Sequence, residues 1–299
     1  MTTHSPLLAS VVKLSNIVIV KEGNAYPLAE QYTKLEEDDY HFLEKYLDAT
    51  KANLFFARSV VIVEGPGEAL LLPTLATLLG YSFTDYGTSL VDVRSTGLRR
   101  YAKIFQRKNE KEKLNVKISC ITDRDIMPNC GPALCINEKY TQDKTTWPNM
   151  NDRKWRAEAD FTTAQAVEHI KEIKKRADGQ QVKTFVSEQW TLEYDLVFAG
   201  WGHDSMEEAL IISLIKSTYV SDNWDKQKER IKNKLRAFES KEEKASYFYS
   251  FFASKKTSKA EFAQQLAYEL EKSFAGKSDE LRQMLPDYLI EAVEYVVKG

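Results

Sequence analysis

The chain has 299 residues, of which 43% are hydrophobic and 29% charged, and its formal net charge is −2. This composition is typical of a soluble globular protein with room for two domains. No apolar run approaches membrane-spanning length, and the first residues lack a basic-then-apolar secretory pattern. We therefore expect neither export nor membrane insertion.

The three cysteines limit the metal and redox chemistry of the chain. Cys120, Cys130 and Cys135 form no CxxC pair, and the four histidines are scattered along the sequence. This pattern supports neither a zinc site nor a disulfide framework. A reducing cytoplasm is the expected location.

In chain order, the first elements are a strand hairpin that begins near residues 17–20 and a helix over 36–51. The β-branched run Val60–Val63 then predicts a strand that is buried on both faces. Glu64 ends this strand, and Gly65-Pro66-Gly67 makes an abrupt turn. A helix over 68–80, interrupted or kinked near Pro73, should follow, with Glu68 in its first turn.

A second strand–helix unit and a third strand are predicted after this helix. They comprise a strand over 90–93, a helix over 97–108 and a strand over 116–122 that ends in Asp123-Arg124-Asp125. Strands separated by helices indicate a parallel sheet with right-handed crossovers. Because all carboxyl ends of such a sheet lie at one edge, Asp123 and Asp125 should lie on the same side as Glu64 and Glu68.

Four carboxylates at one edge indicate a metal site. They would repel one another and raise each other's pKa unless a cation compensated. Carboxylate oxygens are the ligands that Mg²⁺ and Mn²⁺ prefer. In an extended strand, Asp123 and Asp125 would share one face and could address one ion. Taken singly, Glu68 also suits a helix N-terminus because of the helix dipole, and each aspartate could be a cap or turn residue.

The remaining chain predicts an irregular insertion and then more helices. After the insertion 126–160 we expect a helix over 161–178, a strand over 181–187, and helices over 205–218, 224–240, 241–253, 258–273 and 279–297. Residues 222–259 carry eleven Lys and Arg against six Asp and Glu. This run is either a solvated helix face or a basic nucleic-acid surface.

The pattern of a strand ending in VEG, a second Glu four residues later, and a strand ending in DxD resembles the TOPRIM domain of topoisomerases, primases and nucleases. The sequence LFFARSVVIVEGPGEALLLPTLATLLG, with ITDRD downstream, is similar to that of the OLD (overcoming lysogenisation defect) nucleases. In that family an ABC-type ATPase precedes a C-terminal TOPRIM nuclease. The opening TTHSPLLAS resembles the histidine switch loop of such an ATPase.

The resemblance implies an α/β fold, namely a TOPRIM-like Rossmannoid parallel sheet flanked by helices with an additional C-terminal helical domain. Residues 1–53 would be the tail of the ATPase or a linker, 54–200 the TOPRIM catalytic domain, and 201–299 the helical domain. ATP would act only through the ATPase that precedes this region. The family also suggests a homodimer through the full-length protein and, at family level, defence against phage.

Further site residues are implied by the same resemblance. The motif TLEYDL would supply Glu193 and the Thr191 hydroxyl to a second metal. Lys259, before an FA-containing helix, would stabilise charge at the scissile phosphate, although Lys255 and Lys256 lie close by in sequence. In a two-metal scheme with Mg²⁺ or Mn²⁺, Glu64, Asp123 and Asp125 would hold the first ion, and Glu68 would bridge or orient ligands.

The expected activity is therefore metal-dependent cleavage or nicking of DNA. Alternatives are a non-catalytic TOPRIM scaffold that binds DNA or a partner, and a topoisomerase- or primase-type fragment. A Rossmann nucleotide binder is disfavoured, because the turn after the first core strand lacks GxGxxG spacing and carries negative charge where a phosphate would lie.

Overall fold

A computed structural model describes residues 1–94 and 97–298 of the chain. Among these residues, four parallel strands form a central sheet in the order β4-β3-β5-β6. Strands β1 and β2 form a separate, two-stranded antiparallel sheet. The strands are β1 (Val18–Lys21), β2 (Asn24–Pro27), β3 (Ser59–Val63), β4 (Thr88–Asp92), β5 (Lys117–Thr122) and β6 (Val182–Val186).

Helices cover both faces of the sheet, as expected for a parallel sheet. The predicted α/β sheet flanked by helices is confirmed. The helices are α1 (Pro6–Val11), α2 (Glu37–Tyr46), α3 (Pro66–Leu78), α4 (Phe83–Tyr86), α5 (Leu98–Lys103), α6 (Thr163–Lys175), α7 (Leu192–Gly200), α8 (Asp204–Thr218), α9 (Trp224–Arg236), α10 (Lys241–Ala253), α11 (Lys259–Phe274), α12 (Ser278–Arg282) and α13 (Asp287–Val297).

The alternation of side chains along β3 divides the apolar core into two clusters. Val60 and Ile62 pack with residues of α2, α5, β5 and β6 on one face. Val61 and Val63 pack with α3 and the helices from α7 to α13 on the other. All five residues of β3 are buried, which confirms the central, doubly covered strand. Among the helices after residue 200, α13 packs on β3, β5 and β6, whereas α11 packs on α3 and α8, α10 packs on α7, and α8 packs on α9.

Several helix boundaries differ from the sequence prediction. Helix α3 continues through Pro73 as one helix. The helix expected over 97–108 ends at Lys103, because the chain beyond it is held by distant partners. Gln106 Nε2 donates to the Ala177 carbonyl over 2.6 Å, and Arg107 Nη1 donates to the Pro27 carbonyl over 2.5 Å. Residues 95 and 96, which precede α5 in the sequence, lie outside the described range.

The last predicted helix, over 279–297, is also wrong in its extent, because Pro286 separates α12 from α13. Pro286 precedes α13 with an extended ψ of 136°, and its missing N–H suits the start of a helix rather than the continuation of the preceding one. Likewise, the helices expected over 36–51 and 224–240 end at Tyr46 and Arg236. Helix α7 is the main helix that the periodicity did not predict.

The insertion 126–160 folds into short helical turns around Arg153. The guanidinium of Arg153 lies 4.2 Å from the Trp155 ring centroid and 5.3 Å from that of Trp147. Its Nη2 donates to Asp160 Oδ1 over 2.5 Å. An ion pair flanked by aromatic rings therefore orders the segment, together with Met127, Trp147 and Ala157, which belong to the apolar core. No helix in the described ranges has the length and apolarity needed to cross a membrane.

Candidate functional site

Acidic side chains collect at the edge of the sheet where the parallel strands end. Glu64 follows β3 directly, and Asp123 and Asp125 lie just beyond the end of β5 at Thr122. Glu68 lies in the first turn of α3. Sequence reasoning missed Asp92, the last residue of β4, which is paired in register with Val63 and accepts a hydrogen bond from the Arg94 N–H.

Glu64 lies on the face of the sheet that carries α5 and α6. It is half-buried, and Thr122 Oγ1 donates to its Oε2 over 2.8 Å. Burial raises the pKa of the Glu64 carboxyl group, and the Asp125 carboxylate raises it further, whereas the Thr122 hydrogen bond and Arg176 oppose the rise. Glu64 and Asp125 are therefore close enough for their charges to interact.

A second acidic group lies on the other face, between α3, α7 and α11. It contains Glu68, Asp123 and Glu193. Burial raises the pKa of Glu68 to about 7, and the neighbouring carboxylate of Glu193 raises it as well. Burial raises the pKa of Asp123 well above its ordinary value, with further contributions from Glu193 and Glu68. The cation that opposes these shifts is Lys259.

Lys259, the first residue of α11, forms an ion pair with Glu193. Its Nζ lies 2.8 Å from Glu193 Oε2, and 5.6 Å from the Tyr249 ring centroid. Burial would lower the pKa of Lys259, but the carboxylates of Glu193 and Asp123 raise it above its ordinary value. The ammonium group is therefore charged at neutral pH. Lys255 and Lys256 precede α11 and do not take part in this ion pair.

The segment TLEYDL is positioned by hydrogen bonds at the start of α7. Asp195 is buried, and its carboxylate accepts N–H groups from Glu188, Gln189 and Trp190 at 2.6, 3.1 and 2.9 Å. This carboxylate fixes the loop that leads into the helix. Thr191 then caps α7 by accepting the N–H of the third residue after it.

Two contacts join this helix start to the acidic rim. The N–H of Leu192 donates to Asp123 Oδ1 over 3.1 Å, and Thr191 Oγ1 donates to Glu193 Oε2 over 3.3 Å. Glu193 is 3% exposed, so it is a buried residue of α7 rather than a solvated one. A carboxylate in such a buried position requires compensation by cations or donors.

The site is thus two adjacent acidic groups rather than one ring. Asp125 has a left-handed φ of 59°, so the expected extended geometry of Asp123 and Asp125 is wrong. Asp123 lies with Glu68 and Glu193, whereas Asp125 interacts with Glu64. The pairs Glu64–Glu68 and Asp123–Asp125 connect the two groups electrostatically. In the described ranges, no three acidic, His or Cys side chains are gathered tightly enough to hold one ion.

The chemistry of the donors fits hard divalent cations. All the acidic groups at the rim offer carboxylate oxygens, and Thr191 adds a hydroxyl oxygen. The raised pKa values of Glu68 and Asp123 arise from burial and mutual repulsion, which a bound cation would relieve. The backbone approaches closely at Gly67, where an added Cβ would lie 3.5 Å from Glu193 Oε1.

Comparison with known proteins points to one family. Residues 55–125 match the model described as "Overcoming lysogenization defect protein-like, TOPRIM domain". This range includes Glu64, Glu68, Asp123 and Asp125, while Glu193 and Lys259 lie beyond it. No curated protein matches the chain.

Solved structures of two bacterial proteins resemble the chain. The C-terminal region of the Burkholderia pseudomallei OLD protein is 20% identical and has a TM-score of 0.46, with 81% of this chain and 98% of that chain covered. The C-terminal region of the Xanthomonas campestris pv. campestris OLD protein is also 20% identical and has a TM-score of 0.45, with 82% and 95% covered.

Proposed function

We propose, from the premise that residues 55–125 form a TOPRIM domain of the OLD-like family, that this chain is a divalent-metal-dependent DNA endonuclease. It would cleave or nick DNA by hydrolysing phosphodiester bonds. Residues 54–200 would be the catalytic domain, and the helical region 201–299 would supply Lys259. The ATPase implied by the opening residues, the homodimer and a role in phage defence belong to the same proposal.

The observation that carries the proposal is the arrangement around Lys259. A charged ammonium group lies 2.8 Å from a buried carboxylate, and Asp123 and Glu68 interact electrostatically with it. Adjacent acidic and basic groups at the carboxyl ends of parallel strands suit phosphoryl chemistry. The acids can hold cations, and the lysine can stabilise negative charge that develops on the phosphate.

Two ligand sets follow from the two acidic groups. Glu64 and Asp125 would hold one Mg²⁺ or Mn²⁺ ion, and Glu68, Asp123 and Glu193 would draw together to hold the other, with the Thr191 hydroxyl nearby. When bound, the ions would lower the pKa of an attacking water and neutralise negative charge at the phosphate.

The other residues orient these ligands. Thr122 fixes one oxygen of Glu64, the Leu192 N–H fixes one oxygen of Asp123, and Asp195 holds the loop that brings Thr191 to the site. Lys259 would move between Glu193 and the phosphate as DNA binds. Such hydrogen-bonded support keeps ligands in a productive geometry.

The test measures nicking of supercoiled plasmid by the full chain with Mg²⁺, with Mn²⁺ and with EDTA. Glu64→Ala and Asp123→Ala should each abolish metal-dependent nicking while circular dichroism and the melting temperature indicate an intact fold. Asp38→Ala, which removes an exposed carboxylate in the first turn of α2, is the matched control. Retained nicking in both site variants would contradict the proposal.

One observation favours the alternative of a non-catalytic scaffold that binds DNA. In the described residues, the carboxylates are not gathered around a single point, and Lys259 already compensates Glu193. A scaffold would bind DNA with the same affinity in EDTA and in Mg²⁺ and would not nick it under any condition.

A further inference from the structure

A cavity opens beside Glu64 on the α5–α6 face of the sheet. Its volume is about 450 Å³, and its wall includes Glu64, Arg99, Arg176 and Thr184. Leu98 and Ile173 add apolar surface on the α5 and α6 sides. A space of this size is large enough for one nucleotide unit of a DNA strand.

The contacts that an anion could make in this cavity come from its two arginines. Thr184 is 4% exposed, and its Oγ1 has almost no accessible surface, so an atom in the cavity cannot approach it within hydrogen-bond distance. Its backbone N–H is already bound to Asp178 Oδ1 over 2.6 Å.

The two arginines on the wall are available for an anion. Arg99 Nη2 lies 3.8 Å from Asp39 Oδ1, but that carboxylate is already paired with Arg100 and Lys103 at 3.1 and 3.2 Å. Arg176 is exposed at the end of α6, and its charge reaches Glu64 and Asp125. Guanidinium groups match phosphate geometry with paired N–H donors.

Resting on the proposed nuclease function, we propose that this cavity binds the DNA phosphodiester next to the one that is cleaved. Arg99 and Arg176 would neutralise it, and the sugar would pack on Leu98 and Ile173. Because Glu64 forms part of the same wall, the cavity would hold the strand in register with the acidic rim. The basic helix α9 would then not be the main DNA contact.

The experiment measures the binding of a fluorescein-labelled oligonucleotide to the full chain by anisotropy, in Ca²⁺ and in EDTA, at several salt concentrations. The Arg99→Gln/Arg176→Gln variant should weaken binding at least tenfold. The slope of log affinity against log salt concentration should fall by the equivalent of about one phosphate contact. The control, Arg230→Gln/Arg236→Gln on α9, removes the same charge and should change binding less than twofold. The opposite pattern overturns the proposal.

Two further outcomes distinguish this proposal from the nuclease function. If the wild-type chain nicks DNA and the Arg99→Gln/Arg176→Gln variant nicks and binds equally well, only the cavity proposal fails. If the wild-type chain neither binds nor nicks DNA, the proposed function fails as well. If the variant no longer binds a free deoxynucleoside monophosphate but binds the oligonucleotide as tightly as the wild type, the cavity does not hold the DNA strand.

Discussion

Replacing Lys259 by Met tests whether the cation holds the second acidic group together. The change keeps the aliphatic stem near Tyr249 but leaves Glu193, which is 3% exposed, without its partner at 2.8 Å. Breaking a fully buried ion pair costs about 3–5 kcal/mol. Because the Lys259 side chain is 41% exposed, solvent screens part of this interaction, and we expect a loss of about 1–3 kcal/mol.

The measurement is urea unfolding of Lys259→Met, Glu193→Gln and the double variant. Since the double variant removes both charges, it should be more stable than the sum of the single losses predicts, by about 1 kcal/mol. Mg²⁺ should stabilise Lys259→Met more than the wild type, because a cation can replace the lost ammonium. Additive losses and an equal effect of Mg²⁺ would show that the pair does not stabilise the fold. Nicking by Lys259→Met should fall by about 10²–10³-fold.

Three further predictions concern the site and its support. Gly67→Ala should fold with an unchanged or slightly higher melting temperature, because the new Cβ makes only ordinary contact with Glu193, yet it should slow nicking at least about tenfold by narrowing the site. Because the pKa of Glu68 is raised to about 7, its carboxyl group is protonated at lower pH, and nicking in limiting Mg²⁺ should decrease from about pH 8 to about pH 6. The same profile in Glu68→Gln would contradict this. Asp39→Asn should lose about 2–4 kcal/mol of stability at neutral pH. Burial would raise the pKa of the Asp39 carboxyl group. Hydrogen bonds from the Glu36 N–H and from basic side chains on α5 outweigh this effect and lower the pKa. The difference from wild type, measured by urea unfolding, should therefore shrink as the pH falls below about 4.

The sequence was most informative where one local pattern determined one element. The β-branched run before Glu64 predicted the doubly buried strand, and the strand–helix alternation predicted the parallel sheet with its common acidic edge. Given the observed strand order, right-handed crossovers place α3 and α5 on opposite faces, because the connections β3 to β4 and β4 to β5 run in opposite directions across the sheet. These features depend on short-range patterns and on general rules of sheet topology.

Features that depend on distant partners could not be predicted in this way. The left-handed backbone at Asp125 sends it away from Asp123, although the DxD spacing alone favours a shared face. Helix α5 ends early because Gln106 and Arg107 bond to residues more than seventy positions away. The cavity between Arg99 and Arg176 exists only because two crossover helices lie on the same face of the sheet.

The ion pair between α7 and α11 has a consequence for when the protein can act. Its acidic partner follows the last strand of the sheet, while its basic partner begins a helix much closer to the end of the chain. During synthesis, a ribosome would release the complete sheet well before Lys259 could reach it. Under the proposed function, a chain that stops before α11 would therefore lack the lysine and would nick DNA far more slowly than the full chain.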